Sequence, residues 1–119
     1  MIKNKRETGS FYEKQVGLYL EKKGYEILEY NYRCKSGEID IIARKNSCIV
    51  FCEVKYRKGN DENIPLEAIS IQKQRKISKV ALHYLTIHHL WDMDCRFDAI
   101  GIAGEKIIHI ENAFDYIGV

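Results

Sequence analysis

No stretch of the sequence reaches the roughly 18 consecutive apolar residues that a membrane-spanning helix needs. The basic start MIKNKRETGS is not followed by the apolar segment of a secretory leader. The expectation is a cytoplasmic protein with no membrane partner. CxxC pairs are missing as well, although four cysteines are present. Cys34, Cys48, Cys52 and Cys95 fall in or beside stretches that read as strands, where a small thiol packs as an apolar side chain. That pattern speaks for reduced, packed cysteines and against a zinc site or a disulfide. Internal repeats and low-complexity tracts are absent, and a formal charge of +2 is too small to identify a partner by itself.

What is present suits one soluble domain spanning residues 1–119: a chain of this length, 45% hydrophobic and 30% charged, can bury one core and so carries one site. The charge is unevenly distributed. Arg44, Lys45, Lys55, Arg57 and Lys58 stand against Glu53 alone, and Lys73, Arg75, Lys76 and Lys79 have no acid among them. Two such segments suit a phosphate-binding face, and they suit a solvated helix and an ordinary loop equally well.

Hydrophobic spacing predicts seven elements. After a polar, frayed start over 1–8, Phe11, Tyr12, Val16, Tyr19 and Leu20 recur at helical spacing until Gly24. Strands follow over 25–32, 38–44 and 48–56, with a turn at Lys35-Ser36-Gly37 and a hairpin at 45–47. CIVFC in the third is apolar at every position, as in a central strand covered on both faces. Pro65 marks a place for a second helix to start, and Ile69, Ile77, Val80, Ala81, Tyr84 and Leu85 carry it towards Trp91. Strands over 96–103 and 106–111, joined at Gly104-Glu105, complete the order α-β-β-β-α-β-β. The fold class is α/β or α+β, a mixed central sheet flanked by helices.

Alternation along strands puts Glu38 with Asp40, and Glu53 with Lys55, each pair on one face. Asp40 lies within IDIIA and Glu53 directly follows IVFC. Charge in such apolar settings is costly unless compensated. Mg²⁺ or Mn²⁺ would compensate it, being held by one or two carboxylates plus waters while sharing substrate phosphate oxygens. Lys55 would then stabilise the attacked phosphate or position and help deprotonate the attacking water. The same groups also suit a solvated ion-pair cluster at a sheet edge. Glu13 shares a helix face with Val16, Gly17 and Leu20, as a further carboxylate or as a complement to the helix dipole. Lys73 falls four residues from both Ile69 and Ile77 and is expected to point towards the site, whereas Arg75, Lys76 and Lys79 look outward. His83, His88 and His89 lack the spacing of helical metal ligands. Arg96 and Asp98 open the RFDAIGI strand as an ion pair with the hairpin or as catalytic groups.

GEIDIIAR at 37–44, VFCEVKYR at 50–57, the lead-in GYEILEYNYR and RFDAIGI at 96–102 resemble the YraN family over nearly the whole chain. That family looks like the archaeal Holliday junction resolvases of the PD-(D/E)xK nuclease superfamily. The resemblance implies a restriction-endonuclease-like core in which Asp40 is the motif aspartate and Glu53 and Lys55 form the E-x-K half. Glu13 matches the first-helix acid, Glu38 belongs to GEID, and Lys73 matches a second-helix lysine. It further implies metal-dependent hydrolysis of DNA phosphodiester bonds leaving a 5′-phosphate, with Asp40, Glu53 and Glu13 as ligands of Mg²⁺ or Mn²⁺. Arg57, Lys58, Lys73, Arg75, Lys76 and Lys79 would contact the nucleic acid, and resolution of a junction calls for a two-fold dimer. Ile39 replaces the superfamily's proline and Val16 the family's alanine, and neither change removes a ligand. An alternative of a different class is a non-catalytic nucleic-acid-binding or repair adaptor that keeps the fold and binds phosphates in a salt-sensitive way without metal.

Overall fold

The computed structural model describes residues 5–57 and 69–118. The elements are α1 (Lys5–Lys22), β1 (Glu26–Cys34), β2 (Gly37–Lys45), β3 (Cys48–Arg57), α2 (Ile71–Ile87), β4 (Asp94–Ala103) and β5 (Lys106–Phe114), in the order the hydrophobic spacing predicts. They form a mixed α+β architecture consistent with a restriction-endonuclease-like core.

The sheet runs β1-β2-β3-β4-β5, antiparallel except where α2 carries the chain across from β3 to a parallel β4. CIVFC is thus central, as its apolar run requires. On one side of the sheet Val16 and Leu20 of α1 pack with Ile41, Val50 and Cys52; on the other, Ile77, Val80 and Tyr84 of α2 pack with Ile49, Phe51 and Phe97. Each fully buried aliphatic side chain of this kind contributes about 1.5–3 kcal/mol.

Helix boundaries follow from capping. Gly24 takes φ 91°, and the Gly24 and Tyr25 amides donate back to Glu21 and Leu20, an ending that glycine permits. The start over 1–8 expected to be frayed is helical from Lys5. Phe11, five residues and so some 140° round the helix from Val16, is 43% exposed instead of joining the packed stripe. α2 begins later than periodicity implies. Ile69 precedes the helix, and Ser70 in extended backbone caps it, its Oγ accepting the Lys73 amide at 3.1 Å. Pro65 lies outside the described residues. The helix ends at Ile87, before Trp91.

Lys35 and Ser36 form a two-residue turn closed by Gly37 at φ 146°, a conformation only glycine adopts readily. All four cysteines are free; Cys52 is buried as a core thiol should be, but Cys95, near the start of β4, is exposed rather than packed. Among the described residues no helix is long and apolar enough to cross a membrane.

Candidate active site

The β2–β3 ladder runs from the pair Lys45↔Cys48 to Ile41↔Cys52 and stops there. Beyond it β3 continues through Glu53, Val54 and Lys55, paired with β4 alone. Asp40 sits where the strands part. Its Oδ2 accepts the Val54 amide at 2.8 Å, so a carboxylate takes the place of a strand carbonyl.

Three acids meet around this opening. Asp40 hydrogen-bonds Glu53, and Glu13 reaches Asp40 from α1 while accepting a hydrogen bond from Asn31 of β1. They form a chain through the split sheet, from the α1 side to the α2 side, with Asp40 in the middle. Burial, aggravated by the Asp40 charge, pushes Glu53 up to about 8. Burial also lifts Glu13 to about 7, against the Asn31 hydrogen bond and with Asp40 adding to the rise. Asp40 is raised as well, by burial, although the Val54 amide opposes the rise. The crowded negative charge is therefore relieved partly by shared protons.

The positive charge nearby is modest. Lys73 Nζ stands 3.8 Å from Glu53 Oε2, its side chain 49% exposed, which makes a weak ion pair. Lys55 lines the same open cleft of about 320 Å³ as Glu53, Ile69, Ser70 and Lys73. The turn from Ile77 back to Lys73 thus does bring this lysine to Glu53.

The expectation that Glu38 and Asp40 share a face does not hold. Ile39 packs on the α2 side and Ile41 on the α1 side, so the pleat turns over between them. Asp40 crosses to β3, and Glu38 lies on the rim, paired with Arg33 at 3.2 Å. Arg57 is exposed at the end of β3, and Lys58 is outside the described residues. Lys76 is exposed, and Arg75 and Lys79 line a separate cavity of about 290 Å³ against Ile117 and Gly118.

The histidine trio is dispersed in use: His83 bonds the Tyr32 hydroxyl at 2.8 Å and His88 packs its ring at a tilt against Tyr84. The pairing of residues 96 and 98 with the hairpin is also corrected. Asp98, fully buried, accepts from Arg96, from the Asn112 amide and from His109 at 2.7 Å, while Arg96 also reaches Tyr25 and Glu111. Burial alone would raise the Asp98 carboxyl, and the His109 and Arg96 hydrogen bonds hold it below its usual value. This network ties β4 to β5, where three residues of β5, Glu111 to Ala113, stand against Asp98 alone in β4. No spacing signal exposed His109, whose role depends on the β4–β5 register, or Asn31, whose role depends on left-handed backbone inside β1.

Among the described residues no three His, Cys, Asp or Glu side chains are gathered to hold a metal ion by themselves. The donor chemistry still fits a hard divalent cation. Asp40 and Glu53 are in contact and offer oxygen donors, and Glu53 opens on the cleft, which matches ions that take one or two carboxylates plus waters.

The sequence profile of the Uncharacterised protein family UPF0102 matches residues 12–102, from within α1, one residue before Glu13, almost to the end of β4. The chain belongs to this family. UPF0102 is the YraN family, so the resemblance carried by GEIDIIAR and VFCEVKYR is established at the level of family. UPF0102 proteins from Lachnoclostridium phytofermentans and Alkaliphilus metalliredigens are each 47% identical, over 97% and 92% of this chain and 98% of their own lengths. A UPF0102 protein from Syntrophus aciditrophicus is 44% identical over 97% of this chain and 93% of its own.

Proposed function

We propose that this UPF0102 protein is a divalent-metal-dependent endonuclease that hydrolyses DNA phosphodiester bonds, with branched or junction DNA as its substrate. The observation that carries the reading is the Glu13–Asp40–Glu53 chain of largely buried carboxylates, which opens through Glu53 on a cleft that also holds Lys55 and Lys73. Asp40 and Glu53 would hold Mg²⁺ or Mn²⁺, with Glu13 completing the set. Such an ion, when bound, polarises the phosphoryl group and acidifies a water.

The chain's own residues supply the rest. The Val54 amide fixes the orientation of the Asp40 carboxylate. Lys55, on the cleft wall beside Glu53, stabilises charge that builds on the attacked phosphate, while attack by water breaks the P–O3′ bond and leaves a 5′-phosphate and a 3′-hydroxyl. Lys73 neutralises Glu53 and is free to turn to a phosphate oxygen. Arg57, Lys58, Arg75, Lys76 and Lys79 are contacts to the DNA backbone, where they position without reading sequence. A two-fold dimer would present two such sites to a junction.

One observation favours a second reading: Lys73 already bridges Glu53, and no three-ligand group is preassembled among the described residues. On that reading the protein is a non-catalytic nucleic-acid-binding adaptor, active in chelator and weakened by salt.

A labelled panel of branched, linear and single-stranded DNA, incubated with Mg²⁺, Mn²⁺ or chelator, separates the two. Metal-dependent products from the wild type, lost in Asp40→Asn at an unchanged content of secondary structure, are the expected result. Full activity in Asp40→Asn sinks the assignment, and binding without cleavage, unaffected by chelator, supports the adaptor.

A further inference from the structure

Asn31 stands inside β1 with φ 53°. Left-handed backbone of this kind is unusual away from turns, and asparagine is among the few non-glycine residues that accept it. Asn46, by contrast, uses the same conformation in the β2–β3 turn, and Asn112 uses it where β5 bulges. Asn31 has neither a turn nor a hairpin end to make.

The flanking pairs Tyr30↔Ile41 and Tyr32↔Ile39 set Asn31 opposite Asp40. Residues two apart in a regular strand share a face. Here they do not: Tyr30 and Ile41 pack on the α1 side, Tyr32 and Ile39 on the α2 side. Both strands turn over at this one pair. Asp40 is thereby swung across to the Val54 amide, and the Asn31 amide meets the Glu13 carboxylate arriving from α1.

We propose that Asn31 is the positioning residue that assembles the carboxylate site: its left-handed backbone turns Asp40 out of the pleat, and its side-chain amide holds Glu13 beside it. The nuclease reading supplies only the use to which the assembled acids are put. An amide suits this task because it donates to a carboxylate without bringing charge. A lysine or arginine there would neutralise the acid and compete with a cation, and an aspartate would add to the repulsion.

Asn31→Gly keeps access to positive φ and removes the amide; Asn31→Ala loses both. Two measurements are needed. In calorimetric titration with Mn²⁺, Asn31→Gly should bind roughly 10- to 100-fold more weakly than the wild type, the loss typical of a group that orients a ligand. In chelator, thermal melts of Asn31→Gly, Glu13→Met and the double variant should be non-additive, the second substitution shifting Tm by several degrees less than it does alone. A merely structural role would lower Tm in Asn31→Gly and leave Mn²⁺ affinity within about twofold, and that result, or additive melts, overturns the proposal. A wild type that neither binds Mn²⁺ nor cleaves DNA removes the nuclease reading, and the melts alone then decide the positioning of Glu13.

Discussion

Replacing Glu53 by glutamine should make the metal-free protein more stable, by a margin that grows as pH rises from about 4.5 to about 8. The carboxyl rises from its ordinary 4.5 to about 8 in the folded chain. The native state therefore binds a proton that the unfolded chain has already released, and stability falls as pH climbs through that window. Below about pH 4.5 both states are protonated and nothing is lost. Full ionisation against a shift of this size corresponds to roughly 4–5 kcal/mol at about 1.4 kcal/mol per pH unit. The side chain is only 13% exposed, so screening by solvent removes little of it. Sharing the proton with Asp40 and incomplete ionisation at pH 8 bring the working figure to about 2–4 kcal/mol. For a domain of this size that is about 8–16 °C in Tm. The substituted amide keeps the shape, can donate to Asp40, and loses only the weak pair with Lys73. Melts in chelator at pH 5, 6, 7 and 8 should show wild type and Glu53→Gln together at the acid end and diverging towards pH 8, with Glu53→Gln higher. Added Mg²⁺ or Mn²⁺ should raise the wild type and narrow the gap. A gap independent of pH, or a Glu53→Gln protein less stable at pH 8, would refute the idea that crowded charge is stored here.

Two further substitutions probe the frame around the site. A Cβ at Gly17 would lie 2.0 Å from the Tyr30 hydroxyl and 2.9 Å from its Cζ, so Gly17→Ala should cost about 1–3 kcal/mol by overpacking; Tyr30→Phe in the same chain should restore part of the lost Tm, and no restoration would place the strain elsewhere. Asp98→Ala strands Arg96 and His109 around an unfilled acceptor site and should cost about 3–5 kcal/mol, read as a Tm lower by about 12–20 °C; a loss under a few degrees would mean that water replaces the carboxylate freely.

Local pattern made the element order and the central place of β3 legible, because CIVFC has no polar face and the helices have one apolar stripe each. It also placed Lys73 near Glu53, since the lysine lies one turn from the buried Ile77. That Glu13 would lie beside Asp40 followed from family motifs and not from periodicity, because helix-to-strand docking leaves no spacing signature. The turnover at Asn31 and Asp40 was hidden for a physical reason: alternation assumes an unbroken pleat, and one left-handed residue reverses every face beyond it. His109 was concealed for another reason: its contact with Asp98 runs diagonally between β4 and β5, and no spacing along the sequence gives the register of that pair. The start of α2 was misplaced because Ile69 fits the helical period while Ser70, as its cap, ends it.

The Val54 amide gives the split sheet a second use. An amide proton donated to a carboxylate oxygen, with nitrogen and oxygen 2.8 Å apart, rather than to a strand carbonyl, senses whatever changes that oxygen's charge. In a nitrogen–proton correlation spectrum this one backbone signal is a built-in gauge of Asp40. Its position should move with protonation, with cation binding and with substitution at Asn31, each resolved residue by residue and without any added label on the site.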